Sequence, residues 1–194
     1  MIKKTVICLI GLFLSLSIST CSAEMLASMK IEASEKNKAL TVYKVVKDDG
    51  IYIEVENENG ENIWRSSNLG IEDKSFVING KARNLALYDF DKDGVFEIVT
   101  AAFYGPKASG LWIFKRLKND SFEPVKNSFP DADITRDFLV SDVHRVDGTD
   151  FLIEGSGRIK TLGQIFNIES LASSTHEYLE FFYKSGTFIH EKNQ

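Results

Sequence analysis

Short runs of alternating apolar and polar residues, each closed by a turn signal, constrain this chain more than any other feature. ALTVYKVVK ends in Asp48-Asp49-Gly50. IYIEVEN follows, with Ile51, Ile53 and Val55 on one side and Tyr52, Glu54 and Glu56 on the other. Two such runs around a DG turn predict a β-hairpin. Asn59-Gly60 marks the next turn, before NIWRSS as a third strand. Residues 84 to 90 and 95 to 103 predict two more strands. LWIFKRL predicts another, with Leu111, Ile113 and Lys115 opposite Trp112, Phe114 and Arg116. FLVSDV and DFLIEG read as short strands, and YLEFFYK and TFIHE close the chain as a hairpin around Ser185-Gly186. The expectation is an all-β domain with little helix, because no segment beyond the leader sustains an apolar period of 3.6 residues. Only the stretch from Asn167 to Thr175 has room for one short helix.

The first 23 residues have the make-up of an export signal. Lys3 and Lys4 start it, Val6 to Ile18 is an apolar run of 13 residues, and the small, polar stretch Ser19-Thr20-Cys21-Ser22-Ala23 follows. A membrane-spanning helix needs about 20 apolar residues, so the expectation is a cleaved signal and no transmembrane segment afterwards. Two processing routes fit: cleavage after Ala23, or a lipid anchor on Cys21. The resulting organisation is a signal at 1–23, a spacer at 24–38 and a single β domain at 39–194. The location is periplasmic or secreted, or the membrane surface if Cys21 is lipidated.

Both cysteines, Cys8 and Cys21, lie in that leader. The rest of the chain therefore has no disulfide to staple it and no thiolate for catalysis. Without Lys3 and Lys4 there are 21 basic residues against 28 acidic, a formal charge of −7. A basic surface is what phosphate backbones require, so nucleic acid is not the expected partner.

The densest chemistry lies in LALYDFDKDGVFEIV, residues 85 to 99. Counted from Asp89, carboxylates stand at positions 1, 3, 5 and 9 (Asp89, Asp91, Asp93 and Glu97) and glycine at position 6 (Gly94). A hard cation such as Ca²⁺ takes six to eight oxygens at about 2.3–2.6 Å. Alternate residues can turn their oxygens toward one centre, and Gly94 permits the bend that turns the Val95 carbonyl inward. Clustered carboxylates repel one another unless something divalent neutralises them. Mg²⁺ is the poorer fit, because it wants a tight octahedron and keeps its waters. An EF-hand needs a glutamate at position 12 between two helices, and here that position is Thr100 between strands.

The nine-residue form D-x-D-x-D-G-x-x-E between strands resembles the calcium loop of FG-GAP and VCBS repeats, the integrin-type propeller repeat. Leu85, Leu87 and Phe90 before it, Ile98 to Ala102 after it, Gly110 to Phe114 and Ser121-Phe122-Glu123 extend the likeness over residues 84 to 123. The resemblance implies Asp89, Asp91, Asp93, the Val95 carbonyl and Glu97 as Ca²⁺ ligands. A worn second copy stands 53 residues on, with Asp142 opposite Asp89 and Asp150 opposite Glu97, while His144 and Val146 replace the middle ligands. At ~40–50 residues per blade-like unit, three or four units fit. The resemblance therefore implies a small or incomplete β-propeller-like domain, with a β-sandwich using the same loop as the alternative.

Other chemistry has weaker support. His144, His176 and His190 lack a nucleophile elbow around any serine. Asp131, Asp133 and Asp137 cluster without a glycine. Tyr104, Pro106 and Lys107 follow the strand that leaves the acidic loop, and aromatic and basic side chains on a fixed loop suit protein recognition. Two functions from different classes remain. One is a non-enzymatic interaction module for a protein or glycan at the bacterial cell envelope. One form of it is an inhibitor or immunity protein against a wall-degrading enzyme, since small periplasmic lysozyme inhibitors are similar in having a single calcium loop. The other is a secreted hydrolase of envelope polymers with a structural calcium.

Overall fold

The structure is a computed structural model and describes residues 23–35, 38–105, 108–129, 134–141, 149–165 and 175–190. The expected export leader up to Ser22, together with Pro106, Lys107, Asp131, Asp133, Asp142, His144 and Val146, lies outside the described residues, as does the candidate helix up to Ser174. Among the described residues every regular element is a β-strand, so the all-β expectation is met. No helix there is long and apolar enough to cross a membrane.

Four strands, β1 (Glu24–Ile31), β2 (Leu40–Lys47), β3 (Gly50–Asn57) and β4 (Asn62–Arg65), form the first sheet as an antiparallel meander in chain order. The Asp48-Asp49 turn sets the β2–β3 register, with Val42 opposite Val55 and Lys47 opposite Gly50. The stretch expected as a spacer is corrected here, because Glu24–Ile31 is a strand hydrogen-bonded along β2. Its Leu26, Ala27, Met29 and Ile31 pack into the core beneath the sheet. Few of its residues are β-branched; a free edge on β2 and an apolar surface to cover select the strand instead.

The chain continues through β5 (Glu72–Lys74), β6 (Phe76–Ile78), β7 (Lys81–Arg83), β8 (Leu85–Tyr88), β9 (Glu97–Gly105), β10 (Ala108–Arg116) and β11 (Phe122–Pro124). Of these, β8–β9–β10–β11 make a second antiparallel meander, and β5 pairs with the far half of β9. Gly110 in β10 sits under the Trp112 indole, where a Cβ would lie 2.3 Å from the ring. The remaining strands are β12 (Asn127–Phe129), β13 (Ile134–Arg136), β14 (Phe138–Ser141), β15 (Phe151–Ile153), β16 (Ile159–Ile165), β17 (Thr175–Lys184) and β18 (Thr187–His190). β15–β16–β17–β18 form a third meander, extended on one side by β12 and β13 and on the other by β6 and β7, while β14 joins β10 in the second sheet.

The three sheets stack face to face in a sandwich-like arrangement, and none closes into a barrel. Alternation along the second sheet shows why. Ile98, Ala102 and Phe114 face the first sheet, in a core with Val42, Ile51, Ile53 and Val55. Val99, Ala101, Leu111 and Ile113 face the third, in a core with Phe151, Ile159, Phe181 and Phe188. With both faces covered, β9 from Glu97 to Phe103 is buried throughout.

One discontinuity in the middle sheet needs a special solution. β8 pairs with β9 from Glu97 to Thr100, and β5 pairs with it from Ala101 to Phe103. The junction leaves carbonyls of Lys74, Asn84 and Ala101 facing the first sheet. Lys44 of β2, with no solvent exposure, brings its ammonium to all three, at 3.4, 3.0 and 2.6 Å. Asp73 completes the cage, its Oδ1 2.5 Å from Lys44 Nζ. Nearby, the Lys74 ammonium pairs with Asp150 at 2.5 Å, both side chains almost fully buried, and lies over the Phe103 ring.

Candidate metal centre

The acidic residues occupy the connection between β9, the central strand of the middle sheet, and its shorter neighbour β8. Side chains fold back on the loop's own amides. Asp89 Oδ1 accepts from the Asp93 amide at 3.1 Å and Oδ2 from the Gly94 amide at 2.9 Å. Asp91 Oδ1 accepts from Asp93 at 3.2 Å, and Asp93 Oδ1 from Val95 at 2.7 Å. The Asp91 and Asp93 bonds are the two-residue side-chain-to-backbone turns that aspartate favours, and the Asp89 bonds reach four and five residues on to close the loop. Lys92 and Gly94 take positive φ values of 59° and 85°, which winds the loop tightly enough to bring its acids together. The Phe90 ring between them points down into the core, against Tyr88 at 4.6 Å and Phe188 at 5.0 Å.

One carboxylate oxygen from each of Asp89, Asp91 and Asp93 lies within 4.8 Å of the others. An ion at up to about 2.6 Å from each of two oxygens requires them to be no more than about 5.2 Å apart. The donor set thus fits a hard, oxygen-seeking cation in both chemistry and spacing. Val95 contributes its amide to the loop's internal bonding.

Glu97 differs from the three aspartates. It begins β9, is only 1 % exposed, and its Oε2 accepts from the Phe90 amide at 3.0 Å. Burial pushes its carboxyl up to about 7; the Phe90 amide opposes the rise, and the charges of Asp91 and Asp93 add to it. An unfolded chain would release this proton near the ordinary value of 4.5. In chelator-treated protein the group's contribution to stability is therefore complete below pH 4.5 and is lost as pH climbs through 7. The loss is on the order of 3 kcal/mol. Urea midpoints of wild type and Glu97→Gln across pH 4–8 check this: the wild-type curve should fall over that window relative to the variant, and parallel curves would contradict the assignment.

Lys115 projects from β10 toward the same loop. Its ammonium lies 3.3 Å from Asp91 Oδ2 and donates to the Tyr183 hydroxyl, also at 3.3 Å. Burial works against its charge, but Tyr183 and Asp91 outweigh that and raise its pKa above the usual lysine value. Alternation in the sequence puts Lys115 on the Leu111–Ile113 face of its strand but does not link it to the acids. A cationic residue extending an apolar face was the available signal.

Other expected residues are dispersed. Tyr104 is 60 % exposed, but it lies near the far end of β9, seven residues from Glu97 and so roughly 23 Å along the strand. The structure does not bring it to the acidic corner. The second-copy region does not reproduce the first. β14, which stands where β8 would, pairs with β10 and not with β15. Asp150, which stands where Glu97 would, is neutralised by Lys74. Asp137 pairs with Lys126, and His190 Nδ1 lies 3.0 Å from the Glu180 carbonyl. No protein-family model, curated protein or solved structure matches the chain.

Proposed function

We propose that this chain is an exported β domain that takes up one Ca²⁺ in the Asp89–Glu97 loop and serves as a non-enzymatic interaction module at the bacterial cell envelope. The observation that carries the metal reading is the convergence of Asp89, Asp91 and Asp93 oxygens within the span a single ion can bridge. Asp89, Asp91 and Asp93 would hold the ion, with the Val95 carbonyl and Glu97 completing the set as in the FG-GAP and VCBS repeats that the sequence resembles. The ion would neutralise the clustered charge and brace the β8–β9 corner.

The export leader and the acidic balance support the remainder of the reading. A net charge of −7 beyond the leader favours basic partners, and an inhibitor or immunity protein directed at a basic wall-degrading enzyme is the specific form we favour. Protein and glycan partners both remain in scope for Tyr104 and the loop that follows it. The hydrolase alternative has less behind it. The groove of about 400 Å³ bordered by Lys38, Asn57, Glu58 and Asp120 offers Asp120, which Lys38 and Arg116 hold below the usual carboxylate range, an unsuitable proton donor.

Melting with and without calcium tests the metal. At a free concentration a hundredfold above Kd, one bound ion adds about 2.7 kcal/mol, which raises Tm by roughly 5–10 °C in a domain of this size. Asp91→Ala should abolish the rise, and an unchanged rise would refute the ligand assignment. A pull-down from envelope extract with Ca²⁺ and again with chelator tests the interaction. Capture of a single dominant partner is the expected outcome, and recovery of none under either condition would count against the module.

A further inference from the structure

We propose that Lys115 is an internal competitor for the cation, a tethered ammonium that shares Asp91 with any incoming ion and thereby sets the loop's affinity. The inference rests on the metal reading above but concerns a residue that the calcium-loop pattern does not include. Lys115 comes from β10, the strand beyond β9, and reaches Asp91 Oδ2 at 3.3 Å while the Tyr183 hydroxyl of the third sheet holds it from the other side. The Tyr183 ring also lies beneath the ammonium, 5.8 Å to its centroid, and packs on Phe188 in the core. The cation is thus positioned by two sheets, and the Lys115 side chain is only 30 % exposed, so its charge is less screened than that of a surface lysine.

A divalent ion among the same oxygens meets this ammonium as a like charge a few ångströms away, and Asp91 cannot serve both fully. Every arrangement that binds the ion must either move the ammonium aside or bear the repulsion. Even at a water-like dielectric, a doubly and a singly charged cation some ~5–6 Å apart repel enough to weaken binding by about tenfold. The same contact works in the opposite sense in chelated protein, where Lys115 neutralises part of the acidic cluster.

Calorimetric titration with CaCl2 of wild type, Lys115→Met, Lys115→Gln and Lys115→Arg, paired with melting in chelator and in saturating calcium, tests the proposal. Both neutral variants should bind calcium about tenfold more tightly than wild type, with Lys115→Arg close to wild type. Lys115→Met should melt lower than wild type in chelator but not in calcium. Calcium uptake by the neutral variants no tighter than wild type overturns the proposal and leaves the metal site standing. An equal drop in Tm with and without calcium likewise overturns it, since that marks a packing role. No uptake by any of the proteins overturns the metal reading and this proposal together.

Discussion

Lys44→Met should destabilise the protein by about 3–5 kcal/mol, the usual cost of removing one partner from a buried ion pair, and lower Tm by roughly 10 °C or more. Methionine keeps most of the side-chain volume, so packing changes little and the experiment isolates the ammonium. What is lost is the cation that bridges the junction between β5 and β8. The Lys74, Asn84 and Ala101 carbonyls and the Asp73 carboxylate would lose their shared donor. Adding Asp73→Leu should recover part of the loss but not all of it, because the carbonyls stay unsatisfied. Urea unfolding monitored by Trp64 and Trp112 fluorescence gives the number. A change below about 1 kcal/mol would mean that the junction is hydrated and Lys44 is dispensable.

Asp150→Ala should have an effect of similar size for a different reason. Lys74 is almost fully buried and Asp150 is its counter-ion; without the carboxylate a charge is stranded against the Phe103 ring. The expected cost is again about 3–5 kcal/mol. Here the remedy should work: Lys74→Met combined with Asp150→Leu removes both charges and should restore most of the stability, since well-packed apolar replacements of buried pairs are often neutral or better. High salt should not mimic the single variant, because buried pairs are poorly screened. A double variant as unstable as Asp150→Ala would show that the site depends on shape and not on charge balance.

Much of the middle of the fold could be read from the chain. The β2–β3 and β17–β18 hairpins follow from local alternation and turn residues, and so do the strands flanking the acidic loop. The faces of β10 follow too: Leu111 and Ile113 enter one core and Phe114 the other. β5, β6 and β7 were missed because strands of three residues are too short for a period to show. β1 was missed because its strand character comes from the neighbouring edge and not from its own residues. The acidic cluster was legible because aspartates at alternate positions of one short segment, with a glycine to bend it, bring their oxygens together locally. Lys115 and Tyr183 were not, because their relation to Asp91 exists only across sheets. Tyr104 lies where its place in the sequence implies, near the far end of β9, because the residues between it and Glu97 are extended.

The two apolar cores never share an outer sheet among the described residues, and only the middle sheet belongs to both. Loosening of the first sheet can therefore reach the third only through the strands of the middle sheet, β5 among them by way of Lys44, Lys74 and Asp150. The acidic loop is rooted in that shared layer: Leu85 and Ile98 beside it enter one core and Phe90 within it enters the other. A load applied at this one corner is transmitted to both halves of the molecule, so the ion proposed there would be a clasp for the whole rather than an ornament on one edge.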